Sequence, residues 1–318
     1  MLDVVALGEL LIDFTPAGNS EKGMDLYECN PGGAPANVLA VLSRLKKSTA
    51  FIGKVGDDGF GVMLKNTLEK IGVGTDGLIL EKAANTTITF VKLDADGNRN
   101  FMFYRKPGAD VLLSIEEVKL NLIDNSKIFH YGSVSMTDEP SRTATLEAAA
   151  YAKKQGKLIT YDPNLRRLLW NDENEAKELI FEGMKYADVL KISEEELEFL
   201  TDTKDLSIGT SYLLDKFSLK LIFVTLGADG CYFRSLNGMG SVSGFDIKAI
   251  DTTGAGDAFF GGVIYKLLEI NKNITDLTSD EIRSITCFGN AVGELATTKK
   301  GAITIMPDLE QIEDLISK

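Results

Sequence analysis

Short runs of consecutive apolar residues alternate along the chain with longer stretches in which apolar residues recur at helical spacing. Residues 4–7, 49–55, 128–131, 158–161, 189–192, 221–225 and 231–234 read as strands. Several of these runs are hydrophobic throughout, as expected where helices cover both faces of a parallel sheet. Helical spacing predicts helices over residues 36–45, 59–71, 143–154, 175–186, 194–200, 258–268 and 281–297. Strands and helices in alternation predict an α/β fold with a doubly wound, mostly parallel central sheet and helices on both faces.

Two stretches break the rhythm. Residues 14–30 and 86–105 alternate apolar with polar positions, and the second contains Asp94-Ala-Asp-Gly-Asn98, whose Asp96-Gly97 is a hairpin signal. They are expected to form a small antiparallel β-sheet lid on a main domain built from residues 1–13, 31–85 and 106–318. A sheet exposed on one face covers a substrate or meets a partner chain. No internal repeat or long linker is visible, so the lid reads as an insertion.

The chain has 318 residues, 44% hydrophobic and 25% charged, which is enough for a sizeable core. Its 47 acidic and 34 basic residues give a net charge of -13, a field that repels nucleic acid and anionic membranes. No long run of basic residues is visible; Arg166-Arg167 and Lys299-Lys300 are only pairs, which suit small anions. Cys29, Cys231 and Cys287 are odd in number and far apart, so a reducing cytoplasm is expected, with neither a disulfide framework nor a zinc site. The run from Val4 to Ile12, broken by Glu9 and closed by Asp13, lacks the basic start and cleavage site of a signal peptide, and no apolar run approaches a membrane span.

The segment Asp251-Thr-Thr-Gly-Ala-Gly-Asp257 carries the chemistry. It fails as a P-loop, because Gly256 is followed by Asp257-Ala258 instead of Lys and Ser or Thr. It also fails as a dinucleotide fingerprint, because Phe259 stands where a small residue is required. Asp257 as a simple helix N-cap would leave unexplained the flanking glycines, the Thr pair before them and Gly261-Gly262 one turn on. Exposed N–H groups at a helix start bind anions. The N–H groups of Ala255, Gly256 and Asp257 are therefore expected to face a transferring phosphoryl group, with Gly254 forming the turn and Asp257 acting as general base toward an acceptor hydroxyl. The lone His130 lies in an apolar strand and reads as a hydrogen-bonded structural residue.

Asp251-Thr-Thr-Gly-Ala-Gly-Asp-Ala258 resembles the C-terminal signature of the ribokinase-like, or phosphofructokinase B, family of sugar kinases, and Asn30-Pro-Gly-Gly-Ala-Pro-Ala-Asn37 its N-terminal one. Within the family the stretches Phe101-Met-Phe-Tyr-Arg-Lys-Pro-Gly-Ala-Asp110, Phe129-His-Tyr-Gly-Ser133, Tyr161-Asp-Pro-Asn-Leu-Arg166 and Lys191-Ile-Ser-Glu-Glu-Glu-Leu197 are similar to fructokinases. The resemblance implies ATP-dependent phosphorylation of D-fructose at its 6-hydroxyl, with Mg2+ and potassium, and a homodimer formed through the lid. It makes Asp13, read as the end of the first strand, a sugar ligand together with Gly32, Gly33 and Asn37. Arg105 and Arg166 are implied to reach the sugar or the transferring phosphate. ATP is placed along Lys191, Thr225, Gly227, Gly230 and Asn290, besides Gly254 and Gly256. Glu196 is implied for hydrated Mg2+, although Ser193 replaces the family's Asn and Ser193 with Glu196 is equally a capping box. Asp251, Thr253 and Gly301 are implied around a monovalent cation. Two other readings stay open: 2-keto-3-deoxygluconate or ribose as acceptor, and a sugar-binding regulator without turnover.

Overall fold

The computed structural model describes residues 1–93 and 99–318, so the turn expected at residues 94–98 lies outside the described residues. The first half runs β1 (Leu2–Leu7), β2 (Leu11–Asn19), β3 (Asp25–Gly32), α1 (Ala34–Arg44), β4 (Thr49–Gly56), α2 (Gly59–Lys70), β5 (Val73–Glu81), β6 (Ile88–Leu93) and β7 (Arg99–Tyr104). There follow α3 (Leu120–Asp124), β8 (Ser126–Gly132), α4 (Ser141–Lys154), β9 (Leu158–Asp162), α5 (Glu173–Met184), β10 (Val189–Ser193), α6 (Glu194–Thr201) and α7 (Leu206–Phe217). The chain closes with β11 (Leu221–Thr225), β12 (Cys231–Ser235), β13 (Gly238–Val242), α8 (Ala255–Ile270), α9 (Ser279–Ala296) and α10 (Leu309–Ile316).

The main sheet has nine strands in the order β13-β12-β11-β10-β9-β8-β1-β4-β5. From β11 to β5 neighbours are parallel, and β12 and β13 add an antiparallel edge. Alternation explains why the central strands are mostly apolar on both faces. In β1, Val4 and Ala6 enter the core packed under α1, α8 and α9, while Val5 and Leu7 enter the core under α4 to α7. Both faces are dry over residues 4–7, and all four of those positions are hydrophobic. The spacing did not predict β5, β13, α7 and α10. β5 carries Gly74, Asp76 and Gly77 and is buried irregularly along an edge, which leaves no clean period to read.

A second sheet has the order β3-β2-β6-β7. Two antiparallel hairpins, β2 with β3 and β6 with β7, are joined by the parallel pair β2 and β6. The apolar run from Val4 to Ile12 is therefore not one strand. β1 stops at Leu7 and β2 starts at Leu11 in the other sheet, because residues 8–10 turn against the first turn of α1, where Ala34 N–H donates to the Glu9 carboxylate (2.8 Å). Asp13 accordingly lies inside β2, opposite Asn30 of β3 and Thr89 of β6, and not at the end of β1. Among the described residues no helix is long and apolar enough to cross a membrane.

Candidate active site

α8 begins at Ala255, three residues before the start that spacing predicts, and Gly254 is its N-cap with φ 72°. That left-handed conformation is one a glycine adopts without strain. Asp257 thus stands in the first turn and is not the cap. Its carboxylate is buried, Oδ2 accepting from Asn37 Nδ2 (2.8 Å) and Oδ1 from Asn164 Nδ2 (3.0 Å). Burial raises its pKa above the ordinary aspartate value, against the pull of Lys191, the Asn37 amide, Arg166 and the Asn164 amide. Of the three N–H groups expected to face an anion, that of Ala255 points at Thr252 O (3.3 Å). Those of Gly256 and Asp257, as first-turn donors, have no acceptor within the helix. Gly261 and Gly262 serve packing: a Cβ at 261 would meet Val41 Cβ at 2.7 Å and one at 262 would meet Val292 Cγ2 at 2.9 Å.

Asn164 reaches Asp257 from the turn after β9. Its own φ is 53°, a left-handed value that Asn tolerates, and its N–H donates to Asp162 Oδ1 (3.1 Å). The other Asp162 oxygen accepts from Lys191 Nζ of β10 (3.0 Å), with both side chains buried. Burial pushes the Asp162 carboxyl up to about 7 despite Lys191. Burial also opposes the Lys191 charge, but the carboxylates of Asp162, Glu196 and Asp257 outweigh it and raise the lysine pKa. The C-terminal ends of β9 and β10 therefore place one buried ammonium beneath the Asp257 turn.

These groups line a cleft of about 690 Å³ between the two sheets, within the range of small-ligand pockets. Asp13, Gly33, Asn37, Arg166, Lys191, Glu196, Thr225, Thr253, Gly254, Gly256 and Asp257 all border it, as do Glu9 and Phe103. Asp13 lies directly over Gly32, where a Cβ would sit 2.3 Å from its Oδ2. Burial pushes the Asp13 carboxyl up to about 6, opposed by Arg166 and assisted by Asp257 and Asp251. Arg166 is exposed on the cleft, and its guanidinium hydrogen bond is a long one to Leu165 O (3.4 Å).

Other expected contacts are engaged elsewhere. Arg105 is buried, with Nε, one N–H of Nη1 and one of Nη2 bonded to Asp110 Oδ2 (2.7 Å), Thr137 Oγ1 (2.5 Å) and Val134 O (3.0 Å), so these bonds hold its guanidinium in place. Asn290 donates to Val242 O (3.0 Å) and Ser243 O (3.1 Å), holding the loop between β13 and α8. Glu196 completes the capping box: its Oε2 accepts from Ser193 N (2.7 Å) and its Oε1 from Leu165 N (2.6 Å). Gly227 and Gly230, both at positive φ, close the turn from β11 to β12, where Leu226 N donates to Gly230 O (2.8 Å). The Asp251 carboxylate accepts from Thr253 N (2.8 Å) and Gly301 N (3.3 Å), which ties these three residues together beside the cleft. His130 is buried with Nδ1 3.0 Å from Thr160 Oγ1, and burial lowers its pKa to about 3, so it is a neutral structural residue.

Asp162 and Asn164 stood out in the sequence only as part of the Tyr161-Asp-Pro-Asn-Leu-Arg166 stretch, and their position beneath Asp257 was not legible. Glu9 was given no role, its one signal being a carboxylate that interrupts an apolar run.

A doubly wound sheet with a buried carboxylate at a glycine-capped helix start, closed over by a second sheet, is the architecture of a carbohydrate kinase. The chain belongs to the pfkB family of carbohydrate kinases, whose profile matches residues 1–309. It is 45% identical over 309 residues to probable fructokinase-2 of Arabidopsis thaliana, covering 96% of this chain and 92% of that one. Its fold is similar to fructokinase with bound ATP from Xylella fastidiosa, with a TM-score of 0.92, 33% identity and 100% and 99% of the two chains covered. A fructokinase double mutant from Vibrio cholerae in a fructose, ADP and potassium bound form gives a TM-score of 0.88 at 35% identity, covering 99% and 98%. The protein is accordingly a phosphotransferase acting on a sugar hydroxyl.

Proposed function

We propose that the protein transfers the γ-phosphoryl group of ATP to the 6-hydroxyl of D-fructose, with Asp257 as general base. The observation that carries the base assignment is the buried Asp257 carboxylate, held on both oxygens by Asn37 and Asn164 and bordering the cleft. Two amide donors fix its direction while each oxygen keeps a lone pair for the substrate hydroxyl. As the hydroxyl oxygen bonds to the γ-phosphorus, its proton passes to Asp257 and the bond to the β-γ bridging oxygen breaks, releasing ADP. The free first-turn N–H groups of Gly256 and Asp257, with the Arg166 guanidinium, would offset charge on the transferring group.

Asp13 and Asn37, with the close backbone at Gly32 and Gly33, supply polar groups for sugar hydroxyls. The nucleotide would lie along Thr225, Gly227 and Gly230. Among the described residues no three His, Cys, Asp or Glu side chains converge on a metal position. Mg2+ would be carried by the nucleotide phosphates through its waters, where it would neutralise phosphate charge, and Glu196, which borders the cleft, would help hold it. The oxygen-rich loop of Asp251, Thr253 and Gly301 suits a potassium ion, which would steady the turn leading to Gly254.

A neutral acceptor fits the cleft's cations better than an acidic one. Lys191 is paired with Asp162 and Arg167 with Glu173, which leaves Arg166 as the cleft cation, among the described residues, that closes no ion pair. The carboxylate of 2-keto-3-deoxygluconate would compete with phosphate for it. In an ADP-release assay with ATP and Mg2+, with and without potassium, fructose gives the highest kcat/KM in a panel that includes ribose and 2-keto-3-deoxygluconate. A higher value for either of those would overturn the assignment. A sugar-binding regulator would have no use for a buried base.

The lid supports a homodimer. Phe14, Tyr27, Phe90 and Tyr104 form a ring cluster, with Phe14 and Phe90 stacked at 4.8 Å. By strand alternation Phe14, Phe90 and Tyr104 face away from Asp13, Thr89 and Phe103, which border the cleft. Tyr104 is 59% exposed and Met102 38%, an apolar face that a second lid would cover. Sedimentation should show a dimer that Tyr104→Glu dissociates; a wild-type monomer at micromolar concentration refutes it. The three free thiols fit a cytoplasmic setting.

A further inference from the structure

We propose that Glu9 is a positioning residue for phosphoryl transfer: a remote cap that fixes the first turn of α1 and, through it, holds Asn37 against Asp257. The role rests on the reading of Asp257 as base.

α1 lacks a side-chain cap of its own. Its N-cap residue is Gly33, φ 124°, and Pro35 follows within the first turn. The first helical N–H, that of Ala34, is taken by Glu9 Oε1 at 2.8 Å, from 25 residues earlier in the chain. The contact is reinforced by backbone packing, since a Cβ on Gly33 would lie 2.4 Å from Glu9 O and one on Gly8 would lie 2.5 Å from Pro35 Cγ. Residues 8 and 9 therefore clamp the helix start, and neither Gly8 nor Gly33 leaves room for slippage.

One turn on, Asn37 closes the first helical bond to Gly33 O (2.9 Å) and directs its amide to Asp257 Oδ2 (2.8 Å). Its other atom, Oδ1, is buried with no partner among the described residues, so none of them besides Asp257 bonds the Asn37 amide. Its direction is inherited from the placement of α1.

Glu9 itself is only 4% exposed, and its Oε2 is buried without a hydrogen-bond partner among the described residues. An unsatisfied buried carboxyl oxygen costs stability. Burial also pushes this carboxyl up to about 7, with Arg105 and Asp110 the charged groups facing it. A group this costly is consistent with a task in the site, and its remaining oxygen supplies one: the cap.

The test compares Glu9→Ala, Glu9→Asp and Glu9→Gln in the full-length protein, with Asp257→Asn in parallel. Alanine removes the acceptor, aspartate withdraws it by one methylene, and glutamine keeps it. Alanine and aspartate should lower kcat about 10- to 100-fold, the scale of a misplaced catalytic group, with KM for ATP unchanged. Glutamine should recover most of the lost kcat. In an Asn37→Ala background, Glu9→Ala should add less than about a threefold further loss, because residues acting through one another are not additive. If the alanine variant does not fold, the aspartate variant carries the comparison. Near-normal kcat in the alanine and aspartate variants beside an inactive Asp257→Asn would overturn the positioning role, as would losses that multiply fully with Asn37→Ala or a glutamine variant as impaired as alanine. Turnover retained by Asp257→Asn would instead overturn the base assignment, and the role of Glu9 with it.

Discussion

Asp257→Asn yields a folded protein that binds sugar and lowers kcat by about two to four orders of magnitude, the usual worth of a general base. The fold tolerates the change because the site can re-pair. The carboxylate now accepts from Asn37 Nδ2 and Asn164 Nδ2, and the new amide offers one acceptor and one donor group. Asn37 Oδ1, buried without a partner among the described residues, can receive the donor after a flip of the Asn37 amide. Calorimetric titration with fructose checks binding, and coupled turnover checks kcat. Turnover within about tenfold of wild type would show that Asp257 is not the base.

As the proposed base, Asp257 is expected to set the acid side of the pH profile. Burial raises the Asp257 pKa, and the base must be ionised to act, so kcat/KM falls as pH drops through a value above the ordinary aspartate range. Asp162, pushed up to about 7, lies in the same cluster, so the apparent pKa belongs to the group of carboxylates and not to one residue. The residual activity of Asp257→Asn should lack this limb.

Lys191→Met has the largest expected effect on stability, a loss of about 3–5 kcal/mol near neutral pH, because it leaves buried carboxylates without their cation. Lys191 Nζ sits 3.0 Å from Asp162 Oδ2, and both side chains are almost fully buried. Its raised pKa means the ammonium contributes fully at every pH below the unfolded lysine value, so wild type keeps the contribution throughout the range from pH 5 to 8. In the variant the carboxyls of Asp162 and Asp257 lose their main counter-charge, and their pKa values rise further above those of the unfolded chain. Their penalty is complete at high pH and diminishes as they protonate. Urea midpoints for the variant should therefore approach wild type at pH 5 and separate from it at pH 8. Equal separation at both values, or a larger one at pH 5, would contradict this account.

The central strands were legible because burial on both faces selects runs of consecutive apolar residues, such as residues 4–7 in β1 and 221–224 in β11, even though β9 ends in Asp162 and β10 carries Lys191. The edge strands β5 and β13 were not, since glycines and half-exposed positions erase that signal. Helix starts were read two or three residues late at α1, α4, α5, α8 and α9; α5 and α9 carry local side-chain caps at Asp172 and Thr278, whereas α1, α4 and α8 have none. α8 begins with the left-handed Gly254, and α1 is capped by Glu9.

The sequence by itself determined the α/β class, the second sheet as an interruption of the rhythm, and Asp257 as the anomalous acid in a glycine turn, because each is a local pattern of polarity or backbone freedom. The folded chain alone shows that Asp13 belongs to the second sheet, that Arg105 and Asn290 are already bonded, that Asn37, Asn164 and Lys191 surround the Asp257 carboxylate, and that Glu9 bonds the first N–H of the helix carrying Asn37. Asn37 and Asp257 are 220 residues apart in the chain. Their meeting depends on α1 and α8 packing on the same face of the sheet, where Gly261 presses against Val41, a relation between distant surfaces that no single stretch of sequence encodes.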